Sequence, residues 1–248
     1  MTRKIAVSSE SLLKVYSIAL TIAFISIVVM GAHKPESNAR FDQITVHRIN
    51  IVEPDGTTRM VLSDHAEFPG SFYMGKEYPR TDRNVTGMLF NDDEGTENGG
   101  LIFGGNKDKD GTTHSWGHLS FDQYQRDQTM VLESEHDGPE SNVYYAFNDD
   151  TTVDPITPEL SAQWQRIKAM PPGPDRVAAA KAYRAQHPGA IVNRGMFGRG
   201  RDKAVTLQLK DLQGRVRLAA KVDPDGTPKI DFLDEQGKIV RSIGAKPE

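Results

Sequence analysis

The sequence predicts a mainly β protein: an N-terminal transmembrane helix followed by an antiparallel β meander, either a sandwich or an open barrel, with an inserted helical hairpin. Three observations lead to this prediction. Residues 15–32 carry no charged side chain, a short phrase of alternating apolar residues and a glycine turn recurs along the chain, and residues 157–187 have helical periodicity. The length of 248 residues suits one large domain or two small ones.

The composition is that of a folded, mildly acidic protein without cysteine. Hydrophobic residues make up 37% of the chain and charged residues 26%, and the formal net charge at pH 7 is −4. Binding to nucleic acid requires a basic face, so this balance argues against a nucleic-acid partner. The lack of cysteine excludes disulfides, thiolate metal sites and a cysteine nucleophile.

The apolar stretch at residues 15–32 is the predicted membrane helix. As a helix it reaches roughly 27 Å, close to the thickness of a bilayer's hydrocarbon core. Arg3, Lys4 and Lys14 precede it and favour a cytoplasmic N-terminus. A cleaved signal peptide is the alternative, but its apolar stretch is usually shorter and ends in a small-x-small site. Six apolar residues represent the predicted membrane anchor: Ile18, Leu20, Ile22, Phe24, Ile25 and Ile27.

This helix sets the predicted organisation of the chain. Residues 1–14 form a cytoplasmic tail, residues 33–40 a polar linker, and residues 41–248 an exported β domain. The expected location is the bacterial inner membrane, crossed once, with the C-terminal domain in the periplasm or outside the cell. The lipid bilayer is then the partner of residues 15–32.

A repeated phrase predicts the meander. It consists of an apolar residue, a second one two positions later, and a glycine seven positions after the first. Four complete copies begin at Ile49, Met88, Leu207 and Ile230. A fifth begins at Leu119, but Arg126 replaces its glycine. Alternating apolar residues line one face of a strand, and acidic, glycine-containing segments such as EPDG and DEQG turn the chain into the next strand.

Residues 157–187 interrupt the β pattern with a predicted helical hairpin. Thr157 can cap the first helix and Pro158 suits its first position. The second helix is rich in alanine, and the sequence PPGP separates the two. We expect Trp164 and Tyr183 to pack against the sheet, although docking of a partner would suit them as well.

Asn106, Asp108 and Asp110 are a candidate calcium site. Together with Gly111 they match positions 1, 3, 5 and 6 of a calcium-binding loop. Position 12 should supply a bidentate glutamate but is Gly117, so a polar hairpin turn is the favoured interpretation.

Other polar clusters carry weaker signals. His114 and His118 are four residues apart, which on a strand is about 13 Å and too far for one metal ion. The acidic segments 91–100 and 133–138 contain carboxylate pairs of the kind that glycosidases use, but solvated turns explain them.

Two segments are the predicted partner-binding surfaces. The aromatic loop at residues 68–80 either packs on the core or supplies interface anchors, namely Phe68, Phe72, Tyr73 and Tyr78. Residues 193–203 are expected to be a flexible basic loop that suits an acidic partner or lipid headgroups, through Arg194, Arg199 and Arg201.

Four stretches together resemble a group of bacterial single-pass membrane-anchored proteins. They read INIVEPDGTTRMVLSD, NDDEGTENGGLIFGG, GHLSFDQYQRDQ and DLQGRVRLAAKVDPDGTPKIDFLDEQGK. The likeness covers most of residues 41–240. It implies an exported β-rich domain and no particular activity.

The sequence leaves three functions open. The first is a non-enzymatic accessory or scaffolding subunit of a larger membrane protein complex, which binds other membrane proteins through its exported domain and needs no cofactor. The second is a module that binds glycans or cell wall, and the third is a metal-dependent hydrolase. The hydrolase requires His114, His118 and carboxylates to meet in one pocket.

Overall fold

The computed structural model describes residues 9–31, 38–80 and 83–244. The chain divides into two compact units, Met1–Thr45 and Val46–Glu248. The first unit contains helix α1 (Ser9–Gly31), and the second contains every other helix and strand of the described residues.

Helix α1 is long and apolar enough to cross a membrane, by length and composition. The stretch Ser9–Val28 has a mean hydropathy of 2.0, and all six predicted anchor residues are exposed. The helix begins six residues before the predicted start and includes Glu10 and Lys14, which form an ion pair of 2.7 Å one turn apart. The predicted tail up to residue 8 and the linker residues 33–37 lie outside the described residues.

Fourteen strands occur in the described residues. They are β1 (Arg48–Val52), β2 (Thr58–Ser63), β3 (Ser71–Tyr73), β4 (Lys76–Tyr78), β5 (Thr86–Asn91), β6 (Glu97–Lys107), β7 (Thr113–Asp122), β8 (Gln128–Asp137), β9 (Glu140–Asp150), β10 (Ile191–Arg199), β11 (Val205–Lys210), β12 (Val216–Val222), β13 (Pro228–Leu233) and β14 (Ile239–Gly244). Twelve of them form one antiparallel sheet in chain order, and β3 and β4 pair separately. The predicted antiparallel meander is confirmed, as a single open sheet with β1 and β14 at its edges.

The strand register explains the repeated phrase. The first apolar residue of every copy lies in one row across the sheet, which we call the first row: Ile49, Leu62, Met88, Leu101, Leu119, Leu132, Tyr145, Phe197, Leu207, Ala220, Ile230 and Ile243. The second apolar residue lies in the adjacent second row: Ile51, Met60, Phe90, Gly99, Phe121, Met130, Phe147, Gly195, Leu209, Leu218, Phe232 and Arg241. Directly opposed residues of antiparallel strands share a face, so both rows belong to one side of the sheet, the apolar face.

The acidic residues between the strands stabilise the hairpin turns, as predicted. The Oδ1 atom of Asp211 accepts hydrogen bonds from the amides of Gln213 and Arg215, both at 3.0 Å. The glycine of this turn, Gly214, has a φ of 75°, a left-handed conformation that glycine adopts without steric cost. The register shifts beside this turn, as expected for a bulge at the hairpin end.

The buried apolar core lies on the other side of the sheet, the opposite face. Val61 and Leu89 occupy neighbouring strands there and cluster with Phe72 from the β3–β4 hairpin. The amide of Met74 donates to the Thr96 hydroxyl at 3.0 Å, which fixes that hairpin to the sheet. The aromatic loop therefore covers part of the opposite face.

The predicted helical hairpin is confirmed between β9 and β10. It consists of α2 (Pro158–Ala169) and α3 (Pro174–Gln186). The Thr157 side chain caps α2 by accepting a hydrogen bond from the Leu160 amide at 3.3 Å. Trp164 of α2 and Tyr183 of α3 contact each other, with ring centroids 5.1 Å apart. Each ring therefore packs against the other helix, whereas the sequence predicted packing against the sheet.

Candidate functional site

A cavity of about 530 Å³ opens between the helical hairpin, the β3–β4 hairpin and the turns at one end of the sheet. Its volume falls within the range of small-molecule sites. Its apolar and aromatic lining residues include Phe72, Ile156, Leu160, Trp164 and Tyr183. Its polar lining residues include Thr96, Glu97, Asp122, Arg126 and His187.

Asp122, the last residue of β7, is the most perturbed acid of this cavity. Its Oδ1 atom is buried without a hydrogen-bond partner. Burial, and to a smaller extent the negative charges of Glu97 and Asp127, raise the pKa of Asp122 to about 8, with Arg83 acting in the opposite direction. Asp122 is therefore mostly protonated at neutral pH and can donate a hydrogen bond into the cavity.

Arg83 does not neutralise Asp122, because its guanidinium is already bound elsewhere. One nitrogen forms a short ion pair with Glu97, and the other donates to the carbonyl oxygen of Gly70 at 2.6 Å. These contacts connect the aromatic loop to β6. Arg83 therefore lowers the pKa of Asp122 less than burial and the neighbouring acids raise it.

Arg126 stands where the repeated phrase has glycine, and it builds one side of the cavity. Its guanidinium donates to the Thr152 hydroxyl at 2.7 Å and to the carbonyl oxygens of Thr152, Val153 and Asp154. These bonds fix the segment that enters α2. In this turn Gln125 takes the positive φ, 52°, instead of a glycine. The sequence showed this break in the repeat but gave no role for it.

The same segment is held by two further acidic residues. The carboxylate of Asp154 pairs with His187 at 2.7 Å, which ties the segment to the end of α3. Asp150 accepts hydrogen bonds from the amides of Thr152, at 2.8 Å, and Asp127, at 3.0 Å. Burial would raise the pKa of Asp150, but these hydrogen bonds outweigh it and lower the pKa.

The calcium candidates lie in and beside the turn between β6 and β7. Asn106 donates to Asp108 Oδ1 at 2.9 Å, and Asp110 Oδ1 accepts from the Thr112 amide at 2.9 Å. The turn has the same backbone hydrogen bonds as the EPDG and DPDG turns. Within the described ranges, no three His, Cys, Asp or Glu side chains are grouped to hold a metal ion. Calcium binding stays a prediction, with turn stabilisation as the role of Asp110 that the contacts support.

The two histidines lie apart from the cavity. His114 pairs with Asp108 at 3.0 Å and with Asp137 at 3.1 Å, and His118 pairs with Glu133 at 2.5 Å. Neither histidine lines the cavity. The meeting of both histidines with carboxylates in one pocket, which a hydrolase would need, does not occur in the described residues.

The aromatic side chains of the loop at residues 68–80 are partly or fully buried, whereas partner binding would need them exposed. Phe72 is buried in the core, whereas Phe68, Tyr73 and Tyr78 are each half-buried. The Lys76 ammonium lies 5.1 Å from the centre of the Tyr78 ring. Within this loop, Phe72 and Tyr73 also line the cavity.

The prediction of a flexible basic loop at residues 193–203 is wrong for most of this segment. Residues 191–199 form β10, which lies between β9 and β11. Arg194 forms a short ion pair with Asp149, and Arg199 donates to the Ser141 carbonyl at 3.3 Å. Arg201, in the next turn, pairs with two glutamates at 2.9 and 3.1 Å. All three arginines are held by β8 or β9.

The apolar face is a larger surface feature than the cavity. It was not among the binding surfaces predicted from the sequence. Its exposed residues include Phe197 at 54%, Phe103 at 50% and Leu132 at 44%. Near β14 it forms a shallow apolar depression of about 370 Å³, lined mainly by Phe197, Val205, Leu207, Val222, Ile230 and Ile243. Aligning the copies of the phrase could have revealed the two rows, but not that they stay exposed.

No protein-family model, curated protein or solved structure matches the chain. The apolar face crosses all twelve strands of the sheet.

Proposed function

We propose that the chain is a non-enzymatic, membrane-anchored accessory or scaffolding subunit of a larger membrane protein complex. Its exported β domain would act through protein–protein contacts of the apolar face. The observation that carries this proposal is the pair of apolar rows, which two glycines and the edge residue Arg241 interrupt and many of whose side chains are exposed. Monomeric soluble proteins rarely expose contiguous apolar patches above a few hundred Å².

The size of the face suits a protein partner. With strands about 4.8 Å apart and alternate residues about 6.6 Å apart, two rows across twelve strands cover roughly 700 Å². A standard protein interface buries about 800 Å² on each partner. At about 25 cal/mol per Å² of apolar surface, leaving such an area in water is costly, so a partner that covers it is favoured.

The proposal takes α1 as a retained anchor in the bacterial inner membrane. The N-terminus is then cytoplasmic, as Arg3 and Lys4 favour, and the exported domain is periplasmic or extracellular. An N-terminal signal sequence can also be long and apolar enough to meet the same criteria, so cleavage is the competing outcome. Mass spectrometry of the mature N-terminus separates the two, because cleavage removes α1.

A matched pair of substitutions on β11 tests the proposal. Leu207 lies on the apolar face and Thr206 beside it on the opposite face. The full chain is extracted gently from native membranes, and the membrane proteins that co-purify are quantified. Leu207→Asp should lose a stoichiometric partner set that both the parent and Thr206→Asp retain. A parent chain that emerges alone would contradict the proposal.

Aromatic rings on the apolar face also give glycan binding one supporting observation. Phe121, Tyr145, Phe147 and Phe197 expose rings on which sugars could stack. Protein contacts remain favoured, because three of these four rings are phenylalanine and offer no hydrogen bond to a sugar hydroxyl. Retention on isolated cell-wall glycan that Leu207→Asp abolishes, without any co-purifying protein, would favour the glycan module.

A further inference from the structure

Two glycines lower the apolar face locally and let aromatic rings lie along the sheet. Gly99 lies between Phe90 and Phe121 in the second row, and the rings of those two residues stack with centroids 5.9 Å apart. At Gly195 a Cβ atom would lie 2.1 Å from the ring of Phe147, so this ring lies over the glycine. The missing side chains at these glycines leave room for rings to lie along the sheet. An apolar sheet face of this kind can pack on a second sheet about 10 Å away.

The charge on this face allows it to meet its own copy. Across the first and second rows the one charged residue is Arg241, on the edge strand β14. Two copies related by a two-fold axis bring the same surface together, so like charges must be kept away from its centre. The centre of the face, at Leu132 and Tyr145 of β8 and β9, is apolar apart from one hydroxyl.

The area of the face matches what a stable dimer needs. Roughly 700 Å² from each copy gives about 1,400 Å² in total, within the usual range for specific interfaces. The longest stretch outside the described ranges is residues 1–8, and eight residues are too few to cover twelve strands.

We propose that a second copy of this chain covers the apolar face. The two sheets stack face to face about a two-fold axis, as the layers of a β-sandwich do, and the apolar rows of both copies form a shared core. This inference rests on the proposed function, since it names the first partner of the same surface. It places a homodimer inside the complex.

Single-cysteine cross-linking tests this dimer directly, because the chain has no cysteine of its own. The full chain is expressed in a bacterial inner membrane with Leu132→Cys or Tyr145→Cys at the centre of the face. Tyr144→Cys, the neighbour of Tyr145 on the opposite face, is the matched control. The membranes are treated with a short bismaleimide. A two-fold axis brings a central residue close to its own copy, whichever way the sheets cross.

The expected result is a shift of both central variants from the monomer mass of 27.5 kDa to twice that mass, with Tyr144→Cys left as monomer. Equal cross-linking of Tyr144→Cys would overturn the proposal, because the copies would then meet elsewhere. Labelling with a membrane-impermeant maleimide separates the remaining outcomes. Central cysteines that are protected but form no dimer mean that another protein covers the face, so the second copy is rejected and the proposed function stands. Central cysteines that label freely and form no dimer reject both.

The central positions are chosen so that misfolding does not mimic a negative result. Leu132 and Tyr145 are both exposed in the single chain, so a cysteine at either position removes little buried contact. A melting temperature equal to that of the parent confirms the fold of each variant. Agreement between two sites on different strands guards against a local effect.

Discussion

The two faces of the sheet are built from the same strands but are treated differently by the rest of the chain. On β2, Val61 is fully buried on the opposite face, whereas its neighbour Leu62 is 44% exposed on the apolar face. The chain places the β3–β4 hairpin over the face that also carries polar residues such as Ser120 and Asp231. The more uniformly apolar face is left open. The proposed docking of a partner would account for this contrast, because folding alone would favour covering the more apolar side.

The largest expected effect comes from removing the ring that covers the opposite face. Phe72→Ala should destabilise the chain by about 3–5 kcal/mol, because Phe72 is buried against Val61 and Leu89. Phe121→Ala, which truncates a 43% exposed ring on the apolar face, should cost the dissociated chain about 1 kcal/mol. Denaturant unfolding of both variants at low concentration in detergent measures the difference. Equal losses of unfolding free energy in the two variants would mean that the two faces do not differ in burial.

The next largest effect concerns Asp122, which lines the cavity between the β3–β4 hairpin and the helical hairpin. The pKa of Asp122 is about 8 in the folded chain, above its value of 3.8 in the unfolded chain, so the folded state holds the proton more tightly. Its stabilising contribution is present below pH 4 and is lost as the pH rises from about 4 to 8. Asp122→Asn cannot lose a proton, so at pH 8 it should be more stable than the parent by on the order of 5 kcal/mol.

Unfolding of the parent and of Asp122→Asn across this pH range provides the check. The two stabilities should converge toward pH 4 and separate toward pH 8. Asp231→Asn is a useful comparison, because Asp231 is also buried on the opposite face and accepts a hydrogen bond from Ser242 at 2.7 Å. A stability difference between the parent and Asp122→Asn that stays constant from pH 4 to pH 8 would show that Asp122 is ionised over this whole range.

A smaller effect is expected from the arginine that holds the helical hairpin to the sheet. Arg126→Met leaves the carbonyls of residues 152–154 without their charged donor, a loss of about 2 kcal/mol. Amide exchange should therefore accelerate in α2 and stay unchanged in β12 and β13. Arg126→Lys should give an intermediate rate, because it keeps the charge and loses the planar set of donors. Uniform acceleration along the chain would contradict a local role.

The smallest effect lies in the turns, which belong to neither face. Asp110 and Asp225 accept the same hydrogen bond, from Thr112 and Thr227, both at 2.9 Å. Asp110→Ala and Asp225→Ala should therefore each lower the melting temperature slightly and to a similar extent, whether calcium or a chelator is present. Melting temperatures in both conditions test this. A calcium-dependent loss confined to Asp110→Ala would support the calcium site.

Much of this fold follows from local sequence pattern. The copies that begin at Ile49, Met88, Leu119, Leu207 and Ile230 each supply one residue to the first row, because strand alternation and a turn of fixed length repeat together. The helical hairpin was predictable from its cap and its alanine-rich second helix. The start of α1 was not predictable from the uncharged stretch alone, because the helix also includes the charged residues Glu10 and Lys14, which pair with each other.

The site could be predicted much less well. The environment of Asp122 is made by Glu97, Asp127 and Arg83, of which Glu97 and Arg83 come from distant parts of the sequence. The exposure of the apolar face depends on where the β3–β4 hairpin and the helices pack, and alternation within one strand does not contain that information. Arg126 was visible as a break in the repeat, but its partners lie 26 to 28 residues away.

The measurement that tests the central claim most directly is the labelling rate of one cysteine on each face of β11. Leu207→Cys and Thr206→Cys are compared in native membranes and again after the complex has been dissociated in detergent. A covered apolar face predicts slow maleimide labelling of Leu207→Cys in membranes and rapid labelling after dissociation, with little change for Thr206→Cys. Equally rapid labelling of Leu207→Cys in both states would mean that nothing covers the face, and the docking account would be wrong.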